Sequence, residues 1–479
     1  MLFDSLDFAL FFPLVFVLYW FVTKRSLRVQ NIMLLAASYY FYACWDWRFL
    51  FLLAFSTALD HVSGLLIHAG RTKARKRTWL IISVGINLGF LGLFKYYNFF
   101  AESFADLMGV FGLAMDPVLL SVVLPVGISF YTFHGLSYVF DVYNERIKPV
   151  RNVVDYALFV GFFPLLVAGP IERATHLLPQ LQKPRTFRRE QAVSGLRQLL
   201  WGLFKKMVIA DGCGVLVNGI FADPAAHGPG TLALGAVLFA FQIYGDFSGY
   251  SDIALGTARL LGIELLQNFS FPYFSRDIAE FWRRWHISLS SWFRDYLYIP
   301  LGGSRQGRWK SVRNIFIIFL VSGFWHGADW TFIAWGALHA VYFLPLLLMG
   351  RNRDNLRVVA EGRLLPTARE ALRMTVTFAL VCVAWVLFRA ESMAAAGDYL
   401  LGMVSAGPAA PTAVDIGPLA LLLPFFMVVE WCGREQRFAT EVMGDRWPRP
   451  VRWGAYASIV FLIGMFMGTE QIPFIYFQF

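Results

Sequence analysis

The sequence predicts an all-α polytopic membrane protein, and three observations carry that prediction. Hydrophobic residues make up 57% of the 479 residues and charged ones only 15%. Soluble domains sit near 45–50% apolar and about 25% charged. Apolar runs of span length recur along the whole chain, which only a membrane bundle uses. The basic residues fall between these runs: 35 of the 42 Lys and Arg lie in segments 24–28, 71–77, 171–206, 276–313, 351–373 and 434–452. The net charge of +10 therefore marks one face of a membrane and not a nucleic-acid surface.

Taken in order, the runs predict about twelve spans, at 8–22, 30–44, 49–69, 78–94, 120–141, 193–220, 231–262, 312–327, 330–349, 372–389, 416–431 and 452–468. The first follows Asp4 and Asp7, not a basic leader, and reads as a retained span. Segment 153–169 lies between two basic stretches and ends in Gly169 and Pro170, so it reads as re-entrant. The basic loops are expected in the cytoplasm, with poorly charged connections such as 221–230 and 391–415 opposite. Both termini then face away from the cytoplasm. No repeat or linker divides the chain, so a single domain over 1–479 is expected, with 469–479 as an extracytoplasmic tail. Four cysteines show no CxxC spacing and say little about redox compartment.

Polar residues inside apolar runs are the candidates for chemistry. His326 lies 13 residues beyond Arg313, or roughly 20 Å into a slab of about 30 Å. An ionisable group at that depth normally faces a cavity or a polar partner. His286 lies in FWRRWHISLSSWF, within a predicted interfacial helix over 278–297 that points it inward with Trp282 and Ser290. Asp246 and Asp252 fit either an ion or proton site or interhelical hydrogen bonding, the commoner use, with Gly245, Gly249 and Gly256 letting helices approach. His61, His68, His134 and His339 read as hydrogen-bonded bundle residues, and His176 and His227 as loop residues. No histidine pair has a metal spacing, so no metal is expected.

The blocks FSGYSDIALG, FPYFSRDIAEFWRRWHISLSSWFRDYLYIPLGGSR and FWHGADWTFIAWGALH together resemble the membrane-bound O-acyltransferase family. LPVGISFYTFHGLSYVFDVY and FFPLLVAGPIER fit its bacterial branch that O-acetylates alginate and related polymers. The resemblance implies spans, re-entrant and interfacial helices around a central tunnel in the bacterial inner membrane. It implies His326 as the catalytic histidine and His286 as its polar companion on the cytoplasmic side. It also implies acetyl-coenzyme A as donor, a polysaccharide acceptor on the far face and an SGNH-type partner that completes transfer. Arg283, Arg284 and Lys310 of the basic segment are offered to the donor's phosphates.

The chain closes on FIYFQF, an apolar tail that should seek burial in this protein or in a partner. It resembles the FxYxxF ending of related acyl-transfer systems, which implies Tyr476 as an acyl carrier. A phenol nucleophile needs a base, and His326 could supply one.

Overall fold

The computed structural model describes every residue except 122, 168, 306, 406–413, 446, 468–473 and 476–479. Among the described residues the regular elements are all helical. Among the described residues, five helices are long and apolar enough to cross a membrane, at Arg48–Ala69, Lys73–Val110, Pro229–Leu260, Trp330–Leu348 and Ala368–Arg389. The protein is a multi-pass membrane protein.

Local chemistry sets many helix starts. Ser5, Ser26, Thr72, Asn152, Asp277, Asp329 and Ser392 each accept a backbone N–H of the first turn that would otherwise go unmet. Thr367 and Glu370 form a reciprocal capping box at the start of Ala368–Arg389.

The chain divides into two compact units, Met1–Ala192 with Ala258–Leu266, and Val193–Thr257 with Gln267–Phe479. Within the first, the Tyr19 hydroxyl donates to the Leu261 carbonyl and the Trp20 indole to that of Leu260. Asp60 takes hydrogen bonds from Ser83 and Asn87. The buried Glu172 accepts from the Leu266 amide and pairs with His176, which sits on a short helix (Ala174–Leu181) and not in a loop. His61 and His134 are buried in this unit.

Three predicted boundaries shift for identifiable reasons. The span expected from 120 begins only at Ile128, because Gly127 in the left-handed region (φ 72°) starts the helix two residues after Pro125. Segment 153–169 breaks at Phe162 into Val153–Gly161 and Phe163–Leu166. Nine residues rise only about 13 Å, too short to cross. The helix expected over 278–297 is interrupted at His286, with consequences for the site.

Helix Arg189–Leu203 runs through a π turn (Phe204–Ala210) into Asp211–Ala222, and within the second unit its residues 195–202 lie against residues 249–256 of Pro229–Leu260. The two backbones come close because glycines face each other. A Cβ on Gly256 would lie 2.5 Å from the Gly195 carbonyl oxygen, and one on Gly249 2.9 Å from that of Gly202.

Candidate active site

His326 is the last residue of helix Arg308–His326. The next residue, Gly327, is extended, and Asp329 already caps the following helix by accepting the Thr331 amide. The motif HGAD is thus a tight reversal that leaves the histidine at a helix end. Its depth is fixed by a close helix crossing. A Cβ on Gly323 would sit 2.2 Å from the Phe332 carbonyl oxygen, so only glycine lets the two helices meet there.

His286 occupies the break between helices Ile278–Arg284 and Ile287–Phe293. Its backbone is left-handed, φ 44° and ψ 54°. That conformation costs a β-carbon residue of order 1–3 kcal/mol and persists only where the surroundings over-determine it. Here the constraint is Asn268. Its carbonyl accepts the Ile287 amide at 2.9 Å, and its side-chain oxygen lies 2.9 Å from Nδ1 of His286. Helical register no longer aligns Trp282 with His286 once the chain breaks. Trp282 instead donates its indole N–H to Nδ1 of His339, which is thereby a hydrogen-bonded bundle residue.

The two site histidines meet. Their ring centroids are 6.3 Å apart and both side chains are buried. Aromatic rings enclose them: Trp325, Trp335 and Phe388 pack edge-on to His326 at 4.9, 5.2 and 5.4 Å. Phe247 packs edge-on to His286 at 4.7 Å.

The polar pairs nearby are ionic. Lys205 and Lys206, on the π turn, fall both in the basic segment 171–206 and in the predicted span 193–220, and they are buried. Lys205 binds Asp252 at 2.5 Å, and Lys206 binds Asp246 at 3.0 Å and Asp211 at 2.8 Å. Glu430 accepts from Trp201 and Tyr244. Asp246 also accepts the Ile475 amide, at 2.7 Å. Tyr476 itself lies outside the described residues.

The arginines expected to meet donor phosphates are engaged within the protein. Arg283 donates to the carbonyls of Asn352 and Asn355, and Arg284 to Glu280 and the Ser270 carbonyl. Lys310 is exposed in the first turn of its helix. Sequence reasoning missed Asn268 entirely. The one signal was a polar residue in the non-helical stretch QNFSF shortly before the basic segment. Among the described residues, no group of three His, Cys, Asp or Glu is placed to hold a metal.

This geometry accompanies a clear relationship. Residues 144–385 match the membrane-bound O-acyltransferase family model. A probable alginate O-acetylase of Pseudomonas putida is 38% identical over 98% of this chain and 98% of its own. A peptidoglycan O-acetyltransferase of Helicobacter pylori is 35% identical over 82% of this chain and 78% of its own. A teichoic acid D-alanyltransferase of Bacillus subtilis is 28% identical over 55% of this chain and 68% of its own. A chain that matches this family model over residues 144–385, and is related over nearly its full length to a probable alginate O-acetylase, is an O-acyltransferase that belongs to the membrane-bound O-acyltransferase family.

Proposed function

We propose that this enzyme takes acetyl groups from cytoplasmic acetyl-coenzyme A and delivers them across the bacterial inner membrane to an extracytoplasmic polysaccharide of the alginate kind. The names of its relatives support a polymer acceptor, since they acylate alginate, peptidoglycan or teichoic acid. The observation that carries the chemistry is the buried pair of His286 and His326 with centroids 6.3 Å apart.

In this reading the Tyr476 hydroxyl attacks the thioester carbonyl while His326 accepts its proton. A C–O bond forms, the C–S bond breaks, and the proton passes from His326 to the departing thiolate. His286 orients the reacting groups through Nε2. The donor's phosphates meet the basic segment, where Lys310 is exposed while Arg283 and Arg284 also hold the 352–357 loop. The O-acetyl-tyrosine presents its acetyl group outside, where an SGNH-type partner transfers it to sugar hydroxyls. Both termini face that side.

The competing reading within the same chemistry is direct transfer to a glycan or lipid, with no tyrosyl intermediate. A transporter built on Asp246 and Asp252 is weaker, because each carboxylate already has a lysine partner. The deciding experiment incubates the protein with labelled acetyl-coenzyme A and maps the label by mass spectrometry. Label on Tyr476, and loss of glycan acetylation by Tyr476→Phe, are expected. Full acetylation by that variant rejects the shuttle in favour of direct transfer.

A further inference from the structure

The C-terminal segment is received by a built site. Phe474 and Ile475 are both essentially inaccessible to solvent, at 0% and 2% exposure. The Ile475 amide donates to Oδ2 of Asp246 at 2.7 Å, across 229 positions of sequence. Phe474 packs on Tyr250 with centroids 4.5 Å apart and on Phe247 at 5.9 Å. Phe247 in turn lies edge-on to His286 at 4.7 Å. One ring therefore separates the docked tail from the histidine pair.

We propose that Asp246, held by Lys206, is the receptor for the C-terminal segment and the positioning residue for the acyl carrier. Three features argue for reception over incidental packing. A carboxylate accepting a backbone N–H is a charge-assisted bond, about twice as strong as a neutral one. Lys206 lets that carboxylate stand in apolar surroundings, because a buried charge needs a partner. The aromatic slot next to it takes the first tail side chain, so the segment is held at two adjacent residues by different chemistry. Consecutive Cα atoms are about 3.8 Å apart, and residue 476 is the next in the sequence. Only the carrier's identity rests on the function proposed above; the docking stands on its own contacts.

The test uses the full-length protein and reads the release of its tail. Carboxypeptidase removal of residues 477–479 is followed by mass spectrometry, and exchange of the Ile475 amide with deuterium is measured alongside in the variants that keep it. Two variants remove the bond from opposite sides. Asp246→Asn weakens the acceptor while Lys206 keeps Asp211; Ile475→Pro deletes the donor without touching the buried ion pair. A charged hydrogen bond is worth enough that each should speed trimming by about tenfold or more. Acetyl transfer should fall in parallel, and Asp246→Glu should restore both. Wild-type trimming rates in either Asp246→Asn or Ile475→Pro overturn the assignment. Tyr476→Phe separates the two ideas, since it should trim at the wild-type rate whatever it does to transfer. Retained transfer in Tyr476→Phe defeats the carrier and leaves the docking intact, whereas rapid trimming of it defeats the docking.

Discussion

The side-chain oxygen of Asn268 and Nδ1 of His286 stand 2.9 Å apart, and that bond selects the imidazole tautomer. The same oxygen faces the Ser288 amide and takes the Ser288 hydroxyl, while the Asn268 amide nitrogen donates to Ser251. An amide N–H can only donate, so the atom facing Ser288 is the carbonyl oxygen. Nδ1 of neutral His286 must then carry the proton, which leaves the lone pair on Nε2. Asn268→Ala should cost at least about tenfold in transfer, because a histidine in the wrong tautomer cannot serve as an acceptor. Asn268→Asp should retain most of the rate, since a carboxylate still accepts from Nδ1. Equal rates for alanine and wild type would remove Asn268 from the mechanism.

Replacing either site histidine by alanine should abolish transfer without loss of the protein from the membrane. A general base contributes about 10²–10⁴-fold. His326→Ala is expected at the severe end of that range and His286→Ala at the milder end. The measurement is donor turnover at matched protein levels, with glycan acetylation in cells as a second readout. Normal acetylation with His326→Ala would end the proposed chemistry.

Gly323→Ala should damage the enzyme although it alters no reactive atom. The added Cβ meets the Phe332 carbonyl oxygen at 2.2 Å, and backbone must shift to admit it. Overpacking of this kind typically costs about 1–3 kcal/mol. The helix carrying His326 should also move, so thermal stability and transfer are expected to fall together. A melting temperature equal to wild type would show that the crossing is softer than its geometry suggests.

Cysteine labelling from outside the cell should reveal the orientation. A cysteine at Leu364, exposed in the basic 351–373 loop, should resist an impermeant reagent, and one at Ser405 should react. The expectation survives the burial of Lys205 and Lys206, because the remaining basic segments still carry the charge bias on which it rests. The reverse pattern would put the donor in the wrong compartment.

What could be read from residues alone was mostly periodicity and cost. Long apolar runs announced the bundle, and the depth of His326 announced an expensive residue needing a purpose. The burial of His286 follows from a different cause than the one expected: a continuous helix was expected to point it inward, whereas it sits at a left-handed break. Non-glycine residues rarely adopt that conformation, so no local propensity signals it. Lys205 and Lys206 were ambiguous, because the basic segment 171–206 and the predicted span 193–220 both contain them. Asp246 lies 40 residues after Lys206 and Asp252 lies 47 after Lys205, and pairing at that distance is a tertiary fact. Asn268 was invisible for the same reason, since its role exists only once His286 has arrived beside it.

The rings around His326 bear on a contest that the histidines alone do not decide. A hydroxyl acceptor always has water as its rival, and hydrolysis of the thioester would waste the donor. Trp325, Trp335 and Phe388 set largely carbon surfaces against the imidazole. Closing a reactive centre to water suppresses such side reactions. In the proposed chemistry rate and economy would then fall to different residues: the imidazoles would govern how fast an acyl group leaves, and the aromatic wall what fraction of donor is wasted on water.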